Sequence, residues 1–245
     1  KGAHNPDHIR PMDADDMVAL VEAKTQLPTL LTTVAVEGVS TEQISALVRA
    51  GIIVSLGHSD ARYADALAAF DAGASMATHL FNAMSQLGNR EPGLVGAVLE
   101  NGGWAGLIAD GIHVAPATIS IALRAKNGPG RVFLVTDAMS PIGTDIERFT
   151  INGREIVRKD GALRLADGTL AGADLTMIDA VRFMHRTIGV GLDEVLRMAS
   201  LYPAQAIGRA DRLGHFGVGA EASAIHLSDA LSVEDVWVAG SRVDL

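Results

Sequence analysis

Short apolar runs alternate with helical stretches through the first half of the chain. Leu30–Val36 reads as a strand, followed by a helix over Ser40–Ala50 in which Ser40 and Glu42–Gln43 supply N-cap chemistry and Gly51 ends the helix. Ile52–Leu56 repeats the pattern with Asp60–Ala72 and Gly73. Ala74–Leu80, Trp104–Ala109 and Arg131–Thr136 are three further apolar runs, the last two separated by a helix over Ala115–Lys126. Strands alternating with helices predict βαβ units and a parallel sheet of at least five strands.

The rhythm changes after Gly143. Phe149–Val157 and Ala162–Leu165, with the turn pairs Asn152-Gly153, Asp160-Gly161 and Asp167-Gly168, predict β-hairpins inserted near 149–168. Helices resume over Asp174–Thr187 and Leu192–Ser200. The tail, 212–245, reads as short strands at Ala224–Leu227 and Val236–Ala239, too little to stand alone and in need of a partner sheet. The expected organisation is an α/β unit over 1–211 and an appended β segment over 212–245.

Composition narrows the class. Of the 245 residues, 48% are hydrophobic and 20% charged, which suits a packed α/β protein and argues against disorder. Cysteine is absent, so disulfides, thiolate zinc sites and a cysteine nucleophile are excluded for this chain. The longest apolar runs fall short of a membrane span. A net charge of -9 disfavours nucleic acid as a partner and requires local cations if the ligand is an anion.

The polar residues that follow each apolar run carry the chemistry. Gly57-His58-Ser59 follows one strand, His79 ends the next, Asp110-Gly111-Ile112-His113 follows the third and Asp137 the fourth. In a (β/α) barrel these ends converge on one face. Two neutral imidazoles from adjacent strands can hold a divalent metal, and a nearby carboxylate can move a proton between the attacking water and the leaving group. His58, His79 and Asp137 fit those roles. His8, His185, His215 and His226 are read as surface or packing residues, and the methionines at 76, 84, 139, 177 and 184 as core.

Seven words occur in order: Gly57–Ala61 (GHSDA), Ala77–Met84 (ATHLFNAM), Arg90–Leu94 (REPGL), Ile108–Val114 (IADGIHV), Leu134–Ala138 (LVTDA), Leu170–Met177 (LAGADLTM) and Ala199–Gly208 (ASLYPAQAIG). Together they resemble the N-acetylglucosamine-6-phosphate deacetylases of the amidohydrolase superfamily. The resemblance implies a TIM-like (β/α)8 metal-dependent hydrolase barrel, with the C-terminal strands belonging to a small β-sandwich. It implies His58 and His79 as metal ligands, Asp137 as the catalytic general base and then acid, and His4 as the group polarising the amide carbonyl. Ala3, His4, Asn82, Ala83 and Leu170-Ala171-Gly172 would contact the sugar, and Arg90 and His113 its phosphate. The metal would be zinc first, with iron, manganese or cobalt compatible. A cytoplasmic homodimer follows, in which Arg90 reaches the neighbouring site.

The chain departs from that pattern at its front. The family's His-x-Glu-Gly-Pro word, which brings a glutamate ligand, has no counterpart before Lys1–Asn5, and neither do the first barrel strands. The expectation is therefore an N-terminally truncated form with impaired activity. Glu37, at the end of the first strand, tempts as a carboxylate ligand, but the matching family position is not one, so a structural role is expected. Two alternatives stand beside this reading: another amidohydrolase of the dihydroorotase or allantoinase kind, and a non-catalytic fragment.

Overall fold

Helix starts and stops follow local side-chain chemistry. Helix α1 (Ala14–Gln26) begins at Asp13, whose carboxylate accepts from the Asp16 amide at 3.0 Å while Asp16 returns the bond to the Asp13 amide. Strand β1 (Leu31–Val34) leads to α2 (Thr41–Arg49), where Ser40 and Gln43 form the same reciprocal cap. Gln43 also donates to the Met12 carbonyl at 2.9 Å, so one cap fixes both α2 and the approach to α1. The structure, a computed structural model, describes residues 2, 4–151 and 153–244.

Three more strand–helix steps and a closing strand follow: β2 (Ile53–Leu56) and α3 (Tyr63–Asp71), β3 (Met76–Ala77) and α4 (Gly93–Glu100), β4 (Trp104–Ile108) and α5 (Pro116–Ala125), then β5 (Val132–Val135). Strands β1 to β5 pair in sequence order and all in parallel. Each step is therefore a βαβ crossover, and the five strands form an arc of a (β/α) barrel with all C-terminal ends on one face.

Two elements differ from the sequence reading for physical reasons. β3 keeps only two residues of the expected Ala74–Leu80 run, because the chain leaves the sheet after Ala77 and turns through positive φ at His79, Phe81 and Ala83. Helix α4 carries no apolar period, since Gly93 through Leu99 are all buried.

After β5 comes a four-stranded antiparallel sheet in simple meander order: β6 (Arg148–Ile151), β7 (Arg154–Lys159), β8 (Ala162–Leu165) and β9 (Leu170–Ala173). It has a small core of its own around Ile156, Leu163, Leu165 and Ala171. Arg158 on β7 donates from Nε to Asp174 at 2.6 Å, pinning the sheet beside the return to helix. Helix α6 (Met177–Phe183) then passes into a π turn over Met184–Ile188, closed by Gly189 at φ 82°. That break divides the single helix expected over Asp174–Thr187. Helices α7 (Leu192–Ala199) and α8 (Leu201–Ala206) complete the packing.

The tail forms a three-stranded antiparallel sheet, β10 (Ala224–Leu227), β11 (Val233–Val238) and β12 (Ser241–Val243), and β12 escaped the sequence reading. It is tethered to the α6 region by Arg182, which donates to the Leu231 carbonyl from Nε at 3.0 Å and Nη2 at 2.7 Å, and by Arg186, which donates to the Ala230 carbonyl at 2.6 Å. No helix among the described residues is long and apolar enough to cross a membrane.

The main core lies between the parallel strands and their helices, with Val54, Leu56, Ala77, Leu94, Leu107 and Ile119 wholly buried or nearly so. Leu107→Ala empties a site of zero exposure on β4, an inner strand of the parallel sheet. Its expected cost is about 2–5 kcal/mol, read as a lower urea midpoint at unchanged slope.

Candidate active site

The candidate residues gather on the face where the parallel strands end. His58 follows β2 and His79 follows β3, and their Nε2 atoms lie 2.8 Å apart. Gly57 makes this approach possible: a Cβ there would sit 2.4 Å from Thr78 Cγ2, so the two strand ends close together only because that atom is missing. His58 has φ 49°, His79 20° and Asp137, after β5, 53°. All three are non-glycine residues held in the left-handed region, a strain that persists only where the surroundings impose it.

His79 is buried, and its Nδ1 has no hydrogen-bond partner among the described residues. Burial holds its pKa below the ordinary imidazole value, against the opposing pull of nearby Asp137. His4 is likewise lowered, by burial and then by the neighbouring His58, whose ring centroid is 4.4 Å away. Neutral imidazoles are the form a metal needs. The Nε2–Nε2 contact requires one nitrogen to donate; a divalent cation in place of that proton lets both present lone pairs. On donor chemistry the pair fits two positions of a metal site. A group of three or more metal-binding side chains is not found among the described residues.

Asp137 is seated by the inserted sheet. Its carbonyl accepts from the Ala173 amide at 2.8 Å, and Met139 donates back to the Ala173 carbonyl at 3.3 Å. Gly172, at φ 80°, lies so close that a Cβ would meet Met139 Cγ at 2.3 Å and the Asp137 carbonyl at 3.1 Å. Beneath this sheet is a cavity of about 270 Å³, lined on one side by His4, Asn5, His58 and Asp137. Met139, Ile151, Ile156, Leu165, Ala171 and Gly172 form an apolar wall with Arg154 among them.

The remaining candidates are less tightly gathered. The Asn82 amide donates to the His79 carbonyl at 2.9 Å, and its side chain reaches the His79 and Leu80 carbonyls at 3.3 Å. Ala83, at φ 48°, offers its carbonyl to Ser59. Leu170, Ala171 and Gly172 all lie on β9, the latter two lining the cavity. Arg90 is exposed in the turn before α4 and does not line the cavity. Ala3 lies outside the described residues.

His113 is close enough to His79 for its charge to bear on that residue, yet its side chain is only 4% exposed. Its Nδ1 lies 2.6 Å from Asp110 Oδ2, while Asp110 Oδ1 accepts from the Ile112 and His113 amides at 2.8 Å each. Burial pushes the Asp110 carboxyl up, but the bonds from His113 and the two amides hold it below the usual range. The sequence put both residues after the third strand but gave no sign of their pairing. Arg154 was missed: it follows an Asn-Gly hairpin turn and carries no motif.

A model of the amidohydrolase family matches residues 14–243. The chain belongs to the amidohydrolase family. Among its relatives, the N-acetylgalactosamine-6-phosphate deacetylase of Shewanella sp. (strain ANA-3) is 42% identical over 241 residues, covering 98% of this chain and 60% of that protein. The N-acetylglucosamine-6-phosphate deacetylase of Haemophilus influenzae is 39% identical over 217 residues, covering 87% and 56%. The crystal structure of the Pasteurella multocida N-acetylglucosamine-6-phosphate deacetylase superposes with a TM-score of 0.94 at 37% identity, over 99% of this chain and 63% of that one. This amidohydrolase chain thus spans about 60% of the length of the curated relatives it matches.

Gly57→Ala forces the ends of β2 and β3 apart. We expect a loss of about 1–3 kcal/mol from overpacking, measured by chemical denaturation, together with a longer separation of the His58 and His79 rings in a structure of the variant.

Proposed function

We propose that this amidohydrolase removes the acetyl group from an N-acetylhexosamine 6-phosphate, with N-acetylglucosamine 6-phosphate as substrate. The observation that carries the reading is the meeting of His58 and His79 Nε2 beside Asp137, at the edge of a cavity roofed by the inserted sheet. Two relatives named for this chemistry support it.

His58 and His79 would hold a divalent cation, zinc first, which supplies Lewis acidity toward the amide carbonyl and lowers the pKa of the attacking water when bound. Asp137 takes the proton from that water as its oxygen bonds to the carbonyl carbon. It then delivers the proton to the amide nitrogen as the C–N bond breaks, leaving acetate and the free amino sugar. His4, which lines the cavity together with Asp137, would polarise the carbonyl oxygen. His113, oriented by Asp110, receives the phosphate together with amides near Asn82 and Ala83. Arg90 is exposed and does not line its own cavity, which suits a homodimer in which it serves the neighbouring subunit. A phosphorylated sugar as substrate fits a cytoplasmic setting.

A second reading is the C4 epimer, N-acetylgalactosamine 6-phosphate, favoured by the name of the Shewanella relative. Acetate release from both epimers, by protein expressed from its complete gene and supplied with zinc, tests the two together. Release from neither overturns the proposal, and the ratio of kcat/KM assigns the hexose.

In that assay Asp137→Asn is expected to lower kcat by about 10²–10⁴. Arg90→Ala is expected to raise KM for the phosphorylated sugar at least tenfold and to spare the unphosphorylated one. An equal effect on both sugars would favour a different amidohydrolase reaction.

A further inference from the structure

Glu37 lies outside the cavity beneath the inserted sheet, and the chemistry above gives it no task. It sits in the 3₁₀ turn Val36–Gly38 that follows β1, one strand away from His58. Both of its carboxylate oxygens are used. The Ser59 hydroxyl donates to Oε2, and the Asp60 amide donates to Oε1 at 2.8 Å. Ser59 is wholly buried, and its hydroxyl oxygen also accepts from the Ala61 amide at 3.1 Å. The three residues after His58 therefore hang on one carboxylate, directly or through Ser59.

Ser59 is tied on its other side to the next strand end. Its amide donates to the Ala83 carbonyl at 3.1 Å, and its carbonyl accepts from the Ser85 amide at 3.0 Å. These bonds join the loop of His58 to the loop of Asn82 and Ala83, across the gap where the two histidines meet. His58 holds φ 49° between β2 and this anchored segment, so its left-handed backbone is imposed from both ends.

We propose that Glu37 is a positioning residue. Through Ser59 it holds His58 in the conformation that brings Nε2 to His79, and it keeps that loop in register with Asn82–Ala83. The carboxylate is needed because two donors converge on it. A glutamine offers one oxygen: with that oxygen on the Asp60 amide, its NH2 group meets the Ser59 hydroxyl, whose proton then loses its acceptor. The inference rests on His58 and His79 being metal ligands, and it concerns the outer contacts that orient such ligands.

Calorimetric titration with Co²⁺ of the protein expressed from its complete gene tests it. Glu37→Gln and Ser59→Ala are each expected to weaken Co²⁺ binding by about 10–100-fold. The double variant should lose little more than the weaker-binding single one, since both substitutions break the same link. Leu107→Ala, a stability loss that breaks none of the Glu37 and Ser59 hydrogen bonds, should weaken Co²⁺ binding far less than either. Undiminished Co²⁺ binding by Glu37→Gln overturns the role of Glu37, as do fully additive losses in the double variant. If the unsubstituted protein takes up no Co²⁺, the ligand reading falls and this inference falls with it. If the unsubstituted protein and both variants bind equally, only the role of Glu37 falls.

Discussion

The His58 and His79 nitrogens stand 2.8 Å apart here because the strands that carry them end side by side and their loops turn toward each other. Parallel pairing of β2 and β3 supplies the first condition, with Ser55 opposite Met76 and Leu56 opposite Ala77. The absence of a side chain at Gly57 supplies the second, because Thr78 fills the space a Cβ would need. The cost appears as left-handed backbone at His58 and His79, of order 1–3 kcal/mol for each such residue. The buried core beneath, from Val54 to Leu107, is what sustains it.

The third member of the constellation depends on a different part of the chain. Asp137 leaves β5 in the same left-handed conformation, but the sheet β6–β9 rather than a neighbouring parallel strand fixes it. The parallel sheet thus places the histidines while the antiparallel insertion places the aspartate and roofs the cavity between them. Arg158 and Asp174 bind the insertion to the start of the segment that leads into α6, so the roof and the carboxylate share one anchorage.

Much of this was legible in the sequence because strand ends announce themselves. The apolar runs before His58, His79, Asp110 and Asp137 located all four ends, and the Gly pairs located the hairpins. What escaped had no local signature. Helix α1 buries none of its residues and α4 buries nearly all of them, so neither shows the period of a half-buried helix. The π turn after Phe183 and the shortness of β3 are tertiary outcomes. At the site, His58, His79 and Asp137 were nameable from position, whereas the pairing of Asp110 with His113 was not. The Glu37–Ser59 link joins residues 22 apart in sequence, and Arg154 enters the cavity wall through a hairpin register that residue identity does not encode.

The bonds that seat Asp137 run from main chain to main chain, Asp137 to Ala173 and Ala173 to Met139. No side chain of the insertion takes part in them. Ile151, half-buried on the cavity wall, can therefore be exchanged for another apolar residue, while Ile156 and Leu165 must keep their volume because they pack the sheet that carries these bonds. Within such a scaffold the outline of the cavity and the position of Asp137 answer to different atoms, so descendants can alter the first at such a wall position without putting the second at risk.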